Sequence, residues 1–213
     1  VTSDMIAEYL ACLRVDVCAS TYNSRVCILR EIFRTLASKA GLDDDPWDGV
    51  RLRPDDSHSR RELTMDELKR LLGAACKCGE EWHKLILIGI YTGLRLGDCC
   101  RLDWSSVNLA QGIIQIIPQK TKRHAHGKPV TIPIHPALGA ALVDGGKMMT
   151  FGPVLPTVSD LYQRMRWRVS QELARIFTRA NITMSVRLEG RNRKTPEATF
   201  HSLRHTFVSF AAN

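Results

Sequence analysis

Near the end of the chain, His201-Ser202-Leu203-Arg204-His205-Thr206-Phe207 sets an imidazole and a guanidinium three residues apart. Positions i and i+3 of a helix share a face. The spacing therefore predicts His201 and Arg204 side by side, with Leu203, Phe207 and Phe210 turned to a core. Together the two groups suit a phosphate: arginine offers a planar fork of donors, and histidine adds a donor or a proton. Alone, the pair also fits a solvated helix face. What sharpens it is a second arginine in Tyr91-Thr92-Gly93-Leu94-Arg95-Leu96-Gly97-Asp98, with a lysine-rich segment between the two motifs.

Several elements must position these groups. Residues 1–41 read as helical, with Ile6, Leu10 and Leu13 on one stripe. Ser20 or Thr21 caps a second helix whose apolar face is Val26, Leu29, Phe33, Leu36 and Ala40, and Gly41 stops it. Pro46, Gly49 and Pro54 mark residues 43–59 as connecting chain, and the domain boundary is placed there. Thr64-Met65-Asp66-Glu67 is a capping box for the next helix, with Leu63 and Leu68 as its staple. Residues 81–91 are apolar nearly all round, which predicts a buried helix, and Thr92-Gly93 interrupts it before a short helix carrying Arg95. Ile113-Ile114-Gln115-Ile116-Ile117 and Val130-Thr131-Ile132-Pro133-Ile134 read as paired strands. Residues 159–180 read as one long amphipathic helix ringed by arginines.

The connection between the strands holds Lys120, Lys122, Arg123, His124, His126 and Lys128, and residues 104–143 contain no Asp or Glu. A basic stretch without acids is poorly explained by paired surface charge and better explained by an anionic partner. The formal net charge of +8 agrees, although it does not choose nucleic acid over an anionic membrane. The longest apolar run, residues 85–91, is too short to span a bilayer, and no signal peptide is legible. His124-x-His126 has no matching second half for a metal site and reads as an imidazole pair facing phosphate. The seven cysteines lack zinc spacing and read as reduced thiols, mostly buried or inert, in a cytosolic setting. Val1 is not Met, and Asn213 falls inside an apolar helical pattern, so both ends read as cut.

With Arg95, Lys120, His201 and Arg204 in this order, the chain resembles the tyrosine recombinase (phage integrase) family. The resemblance rests on Thr92-Gly93-Leu94-Arg95-Leu96-Gly97-Asp98 with downstream Leu102-x-Trp104, on Gln119-Lys120-Thr121-Lys122, and on His201-Ser202-Leu203-Arg204-His205-Thr206. It implies a mainly α fold with a small antiparallel β-hairpin or sheet (α+β). Residues 1–50 would be part of a helical core-binding domain, 51–61 a linker, and 62–213 a catalytic domain truncated at its C-terminus.

The family cuts DNA by attack of a tyrosine on a phosphodiester, leaving a 3′-phosphotyrosine and a free 5′-hydroxyl, and reverses the step with another strand. The bond energy stays in the covalent link, so the resemblance implies no cofactor, no ATP and no metal. The absence of a P-loop and of an acidic two-metal cluster in the sequence agrees. By this resemblance Arg95 and Arg204 grip the non-bridging oxygens, His201 hydrogen-bonds the phosphate, and Lys120 is the general acid, with Lys122 as the alternative. Asp98 holds Arg95 or the local fold, and His205 supports. Lys122, Arg123, His124, His126, Lys128, Arg164 and Arg168 are candidates for contact with DNA.

The expected partners are double-stranded DNA and further recombinase protomers, a tetramer on DNA in the family, with no membrane and a cytoplasmic, nucleoid-associated setting. One departure matters. The family's nucleophilic tyrosine follows the second arginine, whereas Tyr9, Tyr22, Tyr91 and Tyr162 all precede it here. Two other readings stay open: a non-catalytic DNA-binding remnant and a type IB topoisomerase.

Overall fold

In the computed structural model, residues 2–41, 45–54, 59–120, 128–143, 151–187 and 194–212 are described. The chain divides into two compact units, residues 1–59 with 187–195, and residues 60–186 with 196–213.

In the first unit, α1 (Ser3–Asp16) and α2 (Ala19–Ala40) form as the apolar spacing predicts. Ile6, Leu10 and Leu13 meet Tyr22, Val26 and Trp47 in a small core. The structure differs from the sequence reading in three places. Helix α2 starts before Ser20 and Thr21, with Cys18 as its N-cap and no side-chain capping bond. Leu36 is half exposed rather than on the inner face. The stretch after Pro46 is folded, because Trp47 is buried and Asn23 clasps Arg53 through both its amide oxygen (2.8 Å) and its amide nitrogen (2.9 Å). Gly41 ends α2 in the left-handed conformation, as expected.

The second unit is mainly helical. Helix α3 (Met65–Cys76) opens on the predicted capping box: Thr64 accepts the Glu67 N–H, and Glu67 reaches back to the Thr64 N–H at 2.9 Å. Helix α4 (Glu80–Thr92) is the centre. Leu85 to Gly89 are buried without a break, so this helix must be surrounded, and it packs against α3, α5 (Leu96–Cys100), α6 (Pro136–Val143), α7 (Pro156–Arg164) and α9 (Phe200–Ala212). A three-residue 3₁₀ turn, Trp104–Ser106, leads into β1 (Val107–Asn108).

The antiparallel sheet runs β1, β2 (Ile113–Ile116), β3 (Val130–Pro133), with Ile114 opposite both Val107 and Ile132. Strand β1 is only two residues long, too short for any period to show in sequence. Two further short strands, β4 (Ser185–Val186) and β5 (Thr195–Pro196), precede α9.

The expected single helix over 159–180 is two. Met165, at φ −145° and ψ 69°, separates α7 from α8 (Arg166–Arg179). The apolar spacing of Leu161, Met165 and Val169 survives a one-residue break, so periodicity could not reveal it. Val158 and Tyr162 of α7, and Val169, Leu173, Ile176 and Phe177 of α8, are all buried. None of the seven cysteines is in a disulfide; Cys99 and Cys100 are buried, and the other five are partly or fully exposed. Among the described residues no helix is long and apolar enough to cross a membrane.

The entry to α3 is pinned by charge. Arg61 gives two guanidinium N–H groups to Glu67, at 2.7 and 2.6 Å, and its Nε to Glu197 at 3.1 Å. The Arg61 hydrogen bond holds the Glu67 carboxyl down at about 2, against a burial effect that pushes it up. A carboxyl depressed in the fold stabilises above its unfolded value near 4.5, and that contribution fades as pH falls toward 2. Glu67→Gln should therefore cost about 1–2 kcal/mol near neutral pH, after allowance for solvent screening. The difference in melting temperature from wild type should shrink steadily between about pH 4.5 and 2, as read by circular dichroism.

Candidate functional site

The two arginine motifs meet at the end of α4. Thr92 Oγ1 donates to the Ile88 carbonyl at 2.5 Å and accepts the Leu94 N–H at 3.2 Å, which turns the chain out of the helix. Gly93 then takes φ +59°, the left-handed conformation that favours glycine. A Cβ there would lie 2.5 Å from Phe207 Cδ1. Gly93 is thus required twice, for its backbone angle and for the close approach of α9. Its carbonyl accepts a hydrogen bond from Arg204 Nη1 at 2.7 Å, joining positions 111 residues apart.

Arg95 does not sit inside the short helix, as the sequence suggested, but caps it. Its backbone is extended, and its carbonyl accepts the N–H groups of Asp98 (2.8 Å) and Cys99 (3.0 Å). Arg95 and Arg204 are both half-buried and line one hollow of about 430 Å³, together with Asp98, Pro118 and Phe207.

Asp98 is buried, and its Oδ1 accepts the Gln119 N–H at 3.1 Å with Arg101 at 4.0 Å. Of the two roles expected for it, the contacts seen are those of holding the local fold. The carboxylate anchors the chain as it leaves β2, and Lys120 follows immediately, exposed to solvent. Lys122, Arg123, His124 and His126 lie outside the described residues. Lys128 is exposed.

His201 projects from the first turn of α9, half-buried, and its ring meets that of His205 edge-on at 5.0 Å. Burial lowers its proton affinity first. The charges of His205, Arg60, Arg204 and Arg95 lower it further. At neutral pH the imidazole is uncharged and offers one N–H and one lone pair. Arg60 was not singled out in the sequence, because nothing in Ser59-Arg60-Arg61 distinguishes one arginine from the next. Its backbone is placed beside α9 by the neighbouring Arg61 N–H, which bonds the Glu197 carbonyl at 3.0 Å. Leu203 is fully buried, as expected, but Phe207 is only half-buried and Phe210 is 54% exposed. Phe207 and Phe210, on one face, stay partly exposed because they line an apolar groove with Leu68, Leu72 and Ile90.

Arg164 and Arg168 are on the surface of the same unit, away from these contacts. Arg164 pairs with Asp160 at 2.8 Å, and Arg168 lies over the Trp167 ring at 5.5 Å. The structure thus gathers Arg95, Asp98, His201, Arg204 and His205, and holds Lys120 through its neighbour.

Residues 61–212 match the phage integrase family. The chain belongs to that family. This integrase-family chain is 28% identical over 98 residues to the defective protein IntQ of Escherichia coli (strain K12), a stretch covering 46% of the chain and 24% of IntQ. It therefore matches about a quarter of that relative's length. Among solved structures it resembles a DNA-bound lambda integrase fragment, with 19% identity, TM-score 0.66, and 97% of this chain and 70% of the other covered. It also resembles the Tn1549 transposon integrase in complex with a circular intermediate DNA, with 17% identity, TM-score 0.69, and coverages of 100% and 73%. At these identities the likeness is one of fold, and it agrees with the mainly helical, small-sheet architecture.

Two measurements check the site. Gly93→Ala should destabilise by about 2–4 kcal/mol, from the left-handed φ and the overlap with Phe207, and a chemical melt will show it. In a proton NMR titration His201 should have a midpoint below 6.5, and Arg204→Gln should raise it by removing one repelling charge.

Proposed function

We propose that this chain is the DNA-binding and phosphate-activating body of a site-specific recombinase that cuts and rejoins strands through a 3′-phosphotyrosine. One observation carries the reading: Arg95 and Arg204 open onto the same hollow, within electrostatic reach of His201. Two guanidiniums beside a neutral imidazole, neither of them ion-paired to a carboxylate among the described residues, suit a phosphodiester whose non-bridging oxygens gain charge in the transition state. Arg95 and Arg204 would take those oxygens. His201 would donate a hydrogen bond without a net charge, and Lys120 would protonate the departing 5′-oxygen, with Lys122 as the alternative. Asp98 and His205 would hold these groups in place. Arg204 is pre-set by the Gly93 carbonyl, so little ordering is left for the moment of reaction.

Double-stranded DNA is the proposed partner, with further protomers joining on the DNA. Family membership, the net charge of +8, and the acid-free stretch 104–143 support it. Residues 62–213 would form the catalytic domain and residues 1–50 part of a core-binding domain. Lys128, Arg164 and Arg168, with Lys122, Arg123, His124 and His126, are the proposed backbone contacts.

None of the four tyrosines follows Arg204, so the nucleophile would come from outside these 213 residues. The likeness to a relative described as defective favours one second reading, a remnant that keeps the phosphate grip without the chemistry.

The 213-residue polypeptide should bind duplex DNA with an affinity that falls steeply with salt, and should form no covalent adduct with a nicked suicide substrate. Arg95→Gln with Arg204→Gln should weaken binding roughly tenfold or more at low salt. Salt-insensitive binding would remove the DNA reading, and an adduct would mean that one of Tyr9, Tyr22, Tyr91 and Tyr162 is the nucleophile.

A further inference from the structure

A second concentration of positive charge lies outside the hollow, built on one aromatic ring. Tyr162 is buried, 8% exposed. Its hydroxyl lies only 2.7 Å from where a Cβ on Gly97 would be, so the missing side chain at Gly97 lets the ring settle against α5. Two guanidinium carbons rest over this ring, Arg101 Cζ at 5.3 Å and Arg166 Cζ at 5.1 Å from its centroid. Both are within cation–π range.

Two like charges on one small ring repel each other, and the acids nearby do not balance them. Asp98 lies 4.0 Å from Arg101, at the far limit of an ion pair, and its single charge faces Arg101 alone; among the described residues no carboxylate pairs with Arg166. Asp160 is taken by Arg164, and Glu172 by Arg175 at 2.5 Å. Arg166 is also the first residue of α8, whose first turn has no acidic residue, so the helix dipole adds to the positive field. Trp167, next to it, is 61% exposed, and Arg168 lies over its indole.

We propose that Arg101 and Arg166, braced on Tyr162, form a second phosphate seat that grips the DNA backbone away from the reacting phosphate. The ring pre-orders both side chains, which lowers the rotamer entropy lost when an anion arrives. The anion in turn screens the repulsion between the two guanidiniums. Arg101 sits six positions after Arg95 on the same short segment, and Asp98 contacts both its side chain and the start of the Lys120 connection. A phosphate held here would fix how the duplex lies across the unit, a positioning role that carries no sequence information. The seat rests on the DNA reading above.

The test is the dependence of duplex affinity on salt, measured by fluorescence anisotropy on the 213-residue chain. Arg101→Gln with Arg166→Gln should lower the magnitude of the log K against log salt slope by about 1 and weaken binding roughly tenfold near 0.15 M salt. Arg101→Lys with Arg166→Lys should keep most of the slope, since the charges remain. Tyr162→Phe, which keeps the ring, should bind as wild type. If the double glutamine variant melts early, Arg166→Gln alone, at an exposed position, should still lower the slope. A folded glutamine variant with the wild-type slope overturns this seat alone. A wild-type chain that binds no duplex overturns the DNA reading along with it.

Discussion

Arg204 gives a guanidinium N–H to the Gly93 carbonyl, and the rest of the site depends on that bond. It forms only because α4 stops at a residue with no side chain, leaving its carbonyl open and letting Phe207 close in from α9. A buried carbonyl at a helix end needs a donor. An arginine facing other cations needs an acceptor that does not consume its charge. The neutral carbonyl meets both needs: it holds the guanidinium in place and leaves its positive charge facing the hollow.

The carboxylates of Glu67, Asp98 and Glu81 act as struts, and none of the three is paired with Arg95 or Arg204. Glu67 receives Arg61 and completes the cap of α3, which fixes the chain leading from Arg60. Asp98 holds the Gln119 backbone. Glu81 takes the Thr157 and Val158 N–H groups at 3.1 and 2.8 Å and caps α7 from α4. Each acid satisfies backbone donors or an arginine outside the hollow, so Arg95 and Arg204 keep their charge for an anion. Burial first, and then the charges of His205, Arg60, Arg204 and Arg95, lower the proton affinity of His201. An arrangement of this kind costs folding free energy through self-repulsion, which a bound phosphate would offset.

Much of this was legible in the sequence because it is local. The capping box of Thr64 and Glu67, the glycine stops at Gly41 and Gly93, the buried run of α4 and the paired strands β2 and β3 are each set by a few adjacent residues. The motif around Arg95 and the motif around Arg204 could be named for the same reason, and their order was enough to suggest the family that the match over residues 61–212 then showed. The break at Met165 was not legible, because one residue out of register leaves the apolar spacing unchanged. Nor was the folding of residues 45–53 onto α1 and α2, which comes from long-range bonds between Asn23 and Arg53 and from the burial of Trp47.

By itself, then, the sequence determined which residue types could serve a phosphate, and that His201 and Arg204 stand together on one helix. Only the tertiary structure decided which cations share a space. Arg60 beside His201, Arg101 beside Arg166 on Tyr162, and Asp98 joined to Gln119 are neighbours through packing and not through spacing. The physical reason is that charge acts through distance in space, and the chain brings those distances down to a few ångströms only where a glycine, a buried ring or a carboxylate permits the approach.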